Sequence, residues 1–310
     1  MQTAIITGIT GQDGYYLSRH LIKSGYRVIG TSRLGGSLFI DGVTIPVHEL
    51  DLLDVDKIIN MFKEVHPQVV FNLAARASSA QLFDDAVLTS EINGVSVVRL
   101  LEAIKRTDRG VKFCQASSCE VFSGAKVSPQ DENTPKSPTN AYGAAKAFGD
   151  HVVAAYRSTY DIFACSAILY PHESIRRDLH FLVRKITNAA ATISKGMMDN
   201  IEIGNLDAIR DWGWANDYMM ALLLMVEQSL PQDFVIASGT GHRVKDVCKF
   251  AFETVDLDWQ KHVSVNKAYC RYDAGVPKIG NPTCARTVLG WSPSVSFKDM
   301  IKRLVKEGCK

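Results

Sequence analysis

Tyr142 and Lys146 stand four positions apart in the stretch Ala141-Tyr-Gly-Ala-Ala-Lys146, a spacing that sets both side chains on one face of a helix. An ammonium beside a phenol favours the phenolate and draws the tyrosine pKa from about 10 towards neutrality. Such a tyrosine can exchange a proton with a sugar hydroxyl. Upstream, Ser117-Ser118-Cys119-Glu120 puts a hydroxyl and a carboxylate two positions apart, which supplies a hydrogen-bond donor and a base. Both patterns are short. A tyrosine and a lysine at this spacing occur by chance in many helices, and the second stretch also reads as a serine turn with a solvated glutamate. Their meaning depends on the elements that carry them.

Those elements alternate. Thr3 to Thr7 reads as a buried β-branched strand that runs into Gly8-Ile-Thr-Gly11-Gln12-Asp13-Gly14 and then into an amphipathic helix from Tyr15 to Ser24. In a strand, glycine turn and helix of this kind, the first glycine permits the tight turn and the second lets backbone approach a pyrophosphate. The third lets helix and strand pack closely, with the helix N-terminus facing the anion. The alternative is a plain βα turn. A second strand, Arg27 to Thr31, ends in Ser32-Arg33, where an NAD site would carry a ribose-reading acid. Arg33 offers a guanidinium to a 2′-phosphate instead, which favours NADP, unless it is merely solvated. Gly35-Gly36 to Gly42 reads as a flexible connection, followed by a strand near Val43 to Leu50 and by Asp51-Leu52, where an acid can contact adenine.

Helical spacing returns over Val55 to Val65, and Val69 to Ala75 reads as a buried strand whose last residues, Leu73, Ala74 and Ala75, are small enough to lie against a cofactor. A long helix is predicted from Val87 to Lys105, with Val95, Val98, Leu101 and Ile104 apolar; Asn93 within it reads as a satisfied polar group. The strand Val111 to Ala116 delivers Ser118 and Glu120 at its carboxyl end, where open parallel sheets collect catalytic groups. A proline-punctuated loop leads to the helix Ala141 to Thr159, and Ile162 to Leu169 is one more strand. Strands and helices thus alternate from residue 3 to residue 169, which specifies a doubly wound parallel α/β sheet. Beyond Tyr170 come a polar corner at His172 to Arg177, helices over Phe181 to Lys195 and Trp214 to Gln228, and a strand at Phe234 to Ala237 that returns to the main sheet. Helices over Val244 to Val255 and Phe297 to Glu307 complete a second lobe woven from segments.

Apolar residues make up 46%, charged residues 22% and the net charge is +2, a balance that points to an ordinary soluble globular protein and to neither nucleic acid nor a membrane surface. The opening reads as a strand rather than a signal peptide, and the longest apolar run, Met219 to Val226, is far short of a membrane span. Seven scattered cysteines without a CxxC pair read as reduced thiols in a cytoplasmic protein.

Taken together, GITGQDG at Gly8 to Gly14, Asn72 to Ala75, Gln115 to Glu120, Asp131 to Pro135, the Tyr142/Lys146 pair, Ile168 to Ser174, Arg184 to Thr187, Gly204 to Gly213 and Gly280 to Trp291 resemble the GDP-mannose 4,6-dehydratase family of the extended short-chain dehydrogenase/reductase superfamily. The resemblance runs nearly end to end. It implies a Rossmann-like NADP-binding domain over residues 1–169 with a returning segment at about 213–237. A smaller C-terminal α/β lobe over 170–212 and 238–310 would hold the nucleotide sugar. By the same resemblance Tyr142 takes the proton of the sugar 4-hydroxyl, Ser118 hydrogen-bonds O4, Glu120 removes the C5 proton and assists loss of the 6-hydroxyl, and Lys146 holds the nicotinamide ribose. Gly8, Gly11, Gln12, Asp13, Gly14, Arg33, Asp51, Leu52, Leu73, Ala74, Ala75, His172 and Arg177 are expected at the cofactor. Ser78, Lys185, Arg210 and Arg271 join Ser118 and Glu120 at a GDP-sugar, no metal is implied, and a homo-oligomer, dimer or tetramer, is expected.

Three departures from the family pattern stand out. Pro171 replaces an asparagine before His172, Arg271-Tyr-Asp-Ala274 replaces a motif that carries a ribose-binding carboxylate, and the loop after Arg33 is short. The expected activity is therefore 4,6-dehydration of GDP-mannose or a related GDP-sugar such as a heptose. Alternatives on the same residues are a 4-keto-sugar reductase or epimerase and, from another class, a non-catalytic NADP-binding sensor.

Overall fold

The computed structural model describes residues 1–77, 85–269 and 276–309. Seven strands lie within the first 169 residues: β1 (Thr3–Thr7), β2 (Arg27–Ser32), β3 (Gly36–Ile40), β4 (Val43–Glu49), β5 (Val69–Asn72), β6 (Lys112–Ala116) and β7 (Ala164–Leu169). With the strand Phe234–Ile236 they form one eight-stranded sheet in the order Phe234–Ile236, β7, β6, β5, β1, β2, β4, β3. Every neighbouring pair is parallel except β3 with β4. The order reverses beside β1, so the glycine turn leaving β1 opens at the switch point where such sheets bind ligands.

Side-chain alternation along the strands explains the two covered faces. Ile6, Phe71 and Cys114 join a core packed under α1 (Gln12–Lys23) and, later in the chain, the helix Ala215–Glu227. Their neighbours Ile5, Val70 and Phe113 point the other way. They pack against α2 (Val55–Val65), against α4 (Ser96–Thr107) and against α5 (Ala141–Tyr160), on which the short α3 (Ala86–Ser90) rests. A third core unites α6 (Leu182–Ser194), α8 (Val244–Glu253) and α10 (Phe297–Cys309), with Val183, Ile186, Val247, Phe252, Ile301 and Leu304 at its centre and Trp214, at the start of α7 (Ala215–Glu227), against it; α9 (Thr283–Leu289) packs through Ala285 and Leu289 on the first core instead. Among the described residues no helix is long and apolar enough to cross a membrane.

Two local expectations are corrected. The stretch read as a flexible connection is β3, paired in register with β4 from Gly36↔Val47 to Ile40↔Val43. Asp41 and Gly42, with φ of 49° and 83°, close it as a two-residue hairpin turn, the conformation that Asp-Gly favours. The single helix expected over Val87 to Lys105 is instead interrupted by a π turn at Glu91–Val95. That extra residue moves the buried stripe onto Val97, Leu100, Leu101 and Ile104. Gly94 in the turn lies so close to α5 that a Cβ there would come 3.2 Å from the Ala145 carbonyl oxygen. Asn93, as expected of a satisfied polar group, accepts from the Arg76 amide at 2.9 Å and donates to its carbonyl at 3.2 Å.

Candidate active site

The carboxyl ends of β1, β2, β4, β5, β6 and β7 carry most of the residues singled out from the sequence, with Tyr142 and Lys146 on α5. At the end of β1, Gly8 has φ +68° and a Cβ there would lie 2.8 Å from Ala74 Cα; at Gly14 a Cβ would lie 2.3 Å from the Ile9 carbonyl oxygen. Neither position admits a side chain. Gly11 starts α1 without any side-chain cap, so the first amide groups of the helix face outward from a bare turn, a cradle suited to a phosphate. Leu73, Ala74 and Ala75 follow β5 beside this turn, where the Ala74 amide donates to Thr7 Oγ1 at 3.2 Å. Arg33 is exposed just beyond β2, and Asp51, exposed, and Leu52, buried, follow β4.

Gln12 and Asp13 bind the segment after β7. Gln12 Nε2 donates to the His172 carbonyl at 3.2 Å, and Ser174 Oγ donates to Gln12 Oε1 at 2.7 Å. His172 bonds the Tyr170 carbonyl through Nδ1 at 2.8 Å and Asp13 Oδ1 through Nε2 at 3.0 Å. Burial opposes charge on both partners, yet their mutual attraction wins: Asp13 falls to about 2 and His172 rises above its ordinary value. This pair ties the glycine turn to the second half of the chain. Arg177 stacks 3.6 Å from the centre of the Phe181 ring, and its Nε finds no hydrogen-bond partner among the described residues.

At the end of β6, Ser118 Oγ accepts from the Glu120 amide at 3.2 Å, and Ser118 lies close enough to Tyr142 to ease the rise that burial imposes on its pKa. Asn140 caps α5, its Oδ1 accepting from the Gly143 amide at 2.7 Å, which starts the helix with Tyr142 in its first turn. The other end of that amide donates to Glu120 Oε2 at 2.8 Å. Lys278 Nζ meets Glu120 Oε1 at 2.8 Å. Burial pushes the Glu120 pKa up, but the Lys278 charge, the bonds from Lys278 and Asn140 and the charge of Arg210 bring it below the ordinary value.

The expected coupling of Lys146 to Tyr142 is corrected. Lys146 Nζ donates to the Ala116 carbonyl at 2.7 Å and sits 5.8 Å from the centre of the Tyr142 ring. Burial raises the Tyr142 pKa, eased in part by Ser118. Burial also brings Lys146 down to about 8 against the pull of Asp150 and Asp13. A low-dielectric site disfavours the charged form of each group, and burial is the largest influence on both. Asp150, one turn beyond Lys146, is buried with Ser117 Oγ at 2.8 Å and Lys136 Nζ at 3.1 Å.

Farther out, Lys185 on α6 donates to the Glu202 carbonyl at 2.9 Å and lies 5.0 Å from the centre of the Tyr269 ring. These residues line a cavity of about 320 Å³ together with Leu179, Asn188 and Met198. Arg210 lies in the strand Ile209–Asp211 and pairs there with the strand Gly241–Arg243. Ser78 and Arg271 lie outside the described residues.

The GDP-mannose 4,6 dehydratase family model matches residues 5–304. The chain belongs to the GDP-mannose 4,6-dehydratase family. It is 36% identical over 321 residues to GDP-mannose 4,6 dehydratase 1 of Arabidopsis thaliana, covering 98% of this chain and 89% of the relative. The human GDP-mannose 4,6 dehydratase is 36% identical, over 97% of this chain and 90% of its own. Among solved structures, dTDP-glucose 4,6-dehydratase from Bacillus anthracis in complex with NAD superposes with a TM-score of 0.85 at 19% identity, covering 99% of this chain and 96% of that one. That likeness carries the fold alone. Within this family member, three neighbours of the candidate groups escaped the sequence reading. Asn140 was signalled by its place just before a helix. Lys278 is 158 residues from Glu120 and Lys136 sits in a polar loop; neither has a local pattern that points to its partner.

Proposed function

We propose that the chain is an NADP-dependent 4,6-dehydratase of a GDP-linked sugar, GDP-mannose or a close relative such as a GDP-heptose. The observation that carries this reading is the grouping of Tyr142, Ser118 and an ionised Glu120 at one edge of the sheet, beside a glycine cradle that only bare backbone fits. The glycine turn, with Arg33 exposed beyond β2, suits a dinucleotide bearing a 2′-phosphate. Gly8, Gly11 and Gly14 would receive its pyrophosphate, Arg33 the 2′-phosphate, Asp51 and Leu52 the adenine end and Lys146 the nicotinamide ribose. When bound, the nicotinamide group supplies the hydride exchange that this reaction class requires.

The chain's own groups handle protons. Tyr142 receives the proton of the 4-hydroxyl, and Ser118 donates to O4 as charge gathers there. With a carbonyl at C4, the C5 hydrogen is acidic, and Glu120 removes it as carboxylate and returns it to the departing 6-hydroxyl as water forms. Lys185, Arg210 and Arg271 supply cationic charge for the diphosphate and nucleoside. In this reading residues 1–169 with 213–237 serve the cofactor, and 170–212 with 238–310 hold the nucleotide sugar. The test is a panel of GDP-mannose, GDP-heptose, UDP-glucose and dTDP-glucose incubated with catalytic NADP+ and followed by mass spectrometry. Loss of one water from a GDP-sugar without stoichiometric NADPH use supports the proposal. Oxidation of added NADPH by a 4-keto sugar would instead make the chain a reductase.

A further inference from the structure

We propose that Lys278 is a positioning residue for Glu120: it fixes the carboxylate through Oε1 and holds it in the form that accepts a proton. This rests on the dehydratase reading above. The geometry is that of a clamp. Lys278 Nζ takes Oε1 at 2.8 Å and Asn140 Nδ2 takes Oε2 at 2.8 Å, so the plane of the carboxylate is set from two sides while each oxygen keeps a further lone pair for substrate. Lys278 and Glu120 are only 16% and 21% exposed, which keeps solvent screening of the pair weak.

The lysine is itself held by backbone. Its carbonyl accepts from the Asp211 amide at 3.1 Å, and it bridges to Arg210 in the strand Ile209–Asp211. Just beyond it the chain is fixed again on either side of Gly280, because the Gln130 amide donates to the Ile279 carbonyl at 2.8 Å and the Gln130 carbonyl accepts from the Asn281 amide at 2.7 Å. The ammonium is therefore placed by main-chain bonds and not by the ion pair alone. The charged or titratable groups that face Glu120 are Lys278, Arg210, Cys119 and Tyr142. Burial raises the last two and leaves them neutral, so cationic charge alone acts on the carboxylate, with Lys278 in direct contact.

The consequence for elimination has two sides. Removal of the C5 proton breaks the C5–H bond and sends its electron pair towards the 4-carbonyl. Expulsion of the 6-hydroxyl then breaks C6–O, forms the C5–C6 double bond and takes the proton from Glu120 to make water. A cation at Oε1 weakens Glu120 as a base but strengthens the acid that protonates the leaving group. Lys278 thus speeds the second half of the step at the expense of the first.

Two measurements test this on the full chain. In the first, glutamate carboxyl carbons are labelled with carbon-13, and the Glu120 resonance, assigned with Glu120→Gln, is titrated in wild type, Lys278→Met, Lys278→Gln and Lys278→Arg. The midpoint should rise by at least about one pH unit in the Met and Gln variants and stay in place in Arg. An unmoved midpoint in Met and Gln overturns the proposal, and this readout needs no turnover. Gln retains a hydrogen-bond donor without charge, so it serves where Met fails to fold. In the second, turnover in deuterated water gives the ratio of C5 exchange to water loss, which should rise in Met and Gln and return towards wild type in Arg. An unchanged ratio also overturns the role. Absence of any water loss in wild type defeats the dehydratase reading instead, and leaves the titration to decide on Lys278.

Discussion

Lys146 Nζ hydrogen-bonds the Ala116 carbonyl at 2.7 Å and stands 5.8 Å from the Tyr142 ring centre, a contact without a direct bond to the phenol. Burial disfavours the charged form of each, raising the Tyr142 pKa and lowering that of Lys146 to about 8. The pair is therefore desolvated and uncoupled by any direct bond, and the consequences can be measured.

Tyr142→Phe removes the proposed proton acceptor but leaves the glycine turn and Arg33 untouched. Turnover should fall at least about 100-fold, with NADP affinity little changed. Parallel turnover and equilibrium binding assays check this; near wild-type turnover would remove Tyr142 from the mechanism.

Lys146 makes stability depend on pH. Its folded pKa of about 8 lies below the ordinary 10.5, so between these values the unfolded chain holds a proton that the folded chain has released. Raising pH across that window favours the folded state. From pH 7 to 10 the wild type should gain about 2 kcal/mol relative to Lys146→Met. Denaturant unfolding of both proteins at several pH values measures it.

Asp13 and His172 give the opposite dependence on each other. Without Asp13, burial and the Arg177 charge lower the imidazole pKa against only the bond to the Tyr170 carbonyl. In Asp13→Asn the His172 pKa should drop by at least about one unit, read from its ring proton shifts in NMR. Because Asp13 titrates at about 2 rather than 3.8, its contribution to wild-type stability is present above pH 3.8 and lost as pH falls towards 2.

Arg33 decides between cofactors in this account. Arg33→Ala should raise the Kd for NADP at least about tenfold, since hydrogen bonds to charged groups are worth about 1.5–3 kcal/mol. Affinity for NAD should be unchanged. Isothermal titration with both dinucleotides reads the difference.

Gly8→Ala meets two obstacles, a φ of +68° and the Ala74 backbone 2.8 Å from the new Cβ. The variant should lose about 1–3 kcal/mol of stability along with dinucleotide binding. Thermal melting and binding together test it.

What was legible in the sequence was local. β1, α2 and the start of α5 fall where their periodicity and flanking residues set them, because alternation and helical spacing are written in adjacent residues. Asp41-Gly42 also carried a local hairpin signal, overlooked beside the flexible glycines around it. The π turn at Glu91–Val95 was not legible, since close packing of Gly94 on α5 is a tertiary demand. The same holds for the charge state of the site. Tyr142 and Lys146 were visible as a pair, but desolvation depends on everything packed around them. Lys278 reaches Glu120 across 158 residues with no sequence trace of the contact.

Deuterium placed at C4 of the GDP-sugar, with NADP+ far below substrate concentration, tests the central claim most directly. If Tyr142, Ser118 and Glu120 act as a dehydratase site, the product has lost one water and carries the deuterium at C6. Deuterium remaining at C4, or product formed without loss of water, would contradict the account.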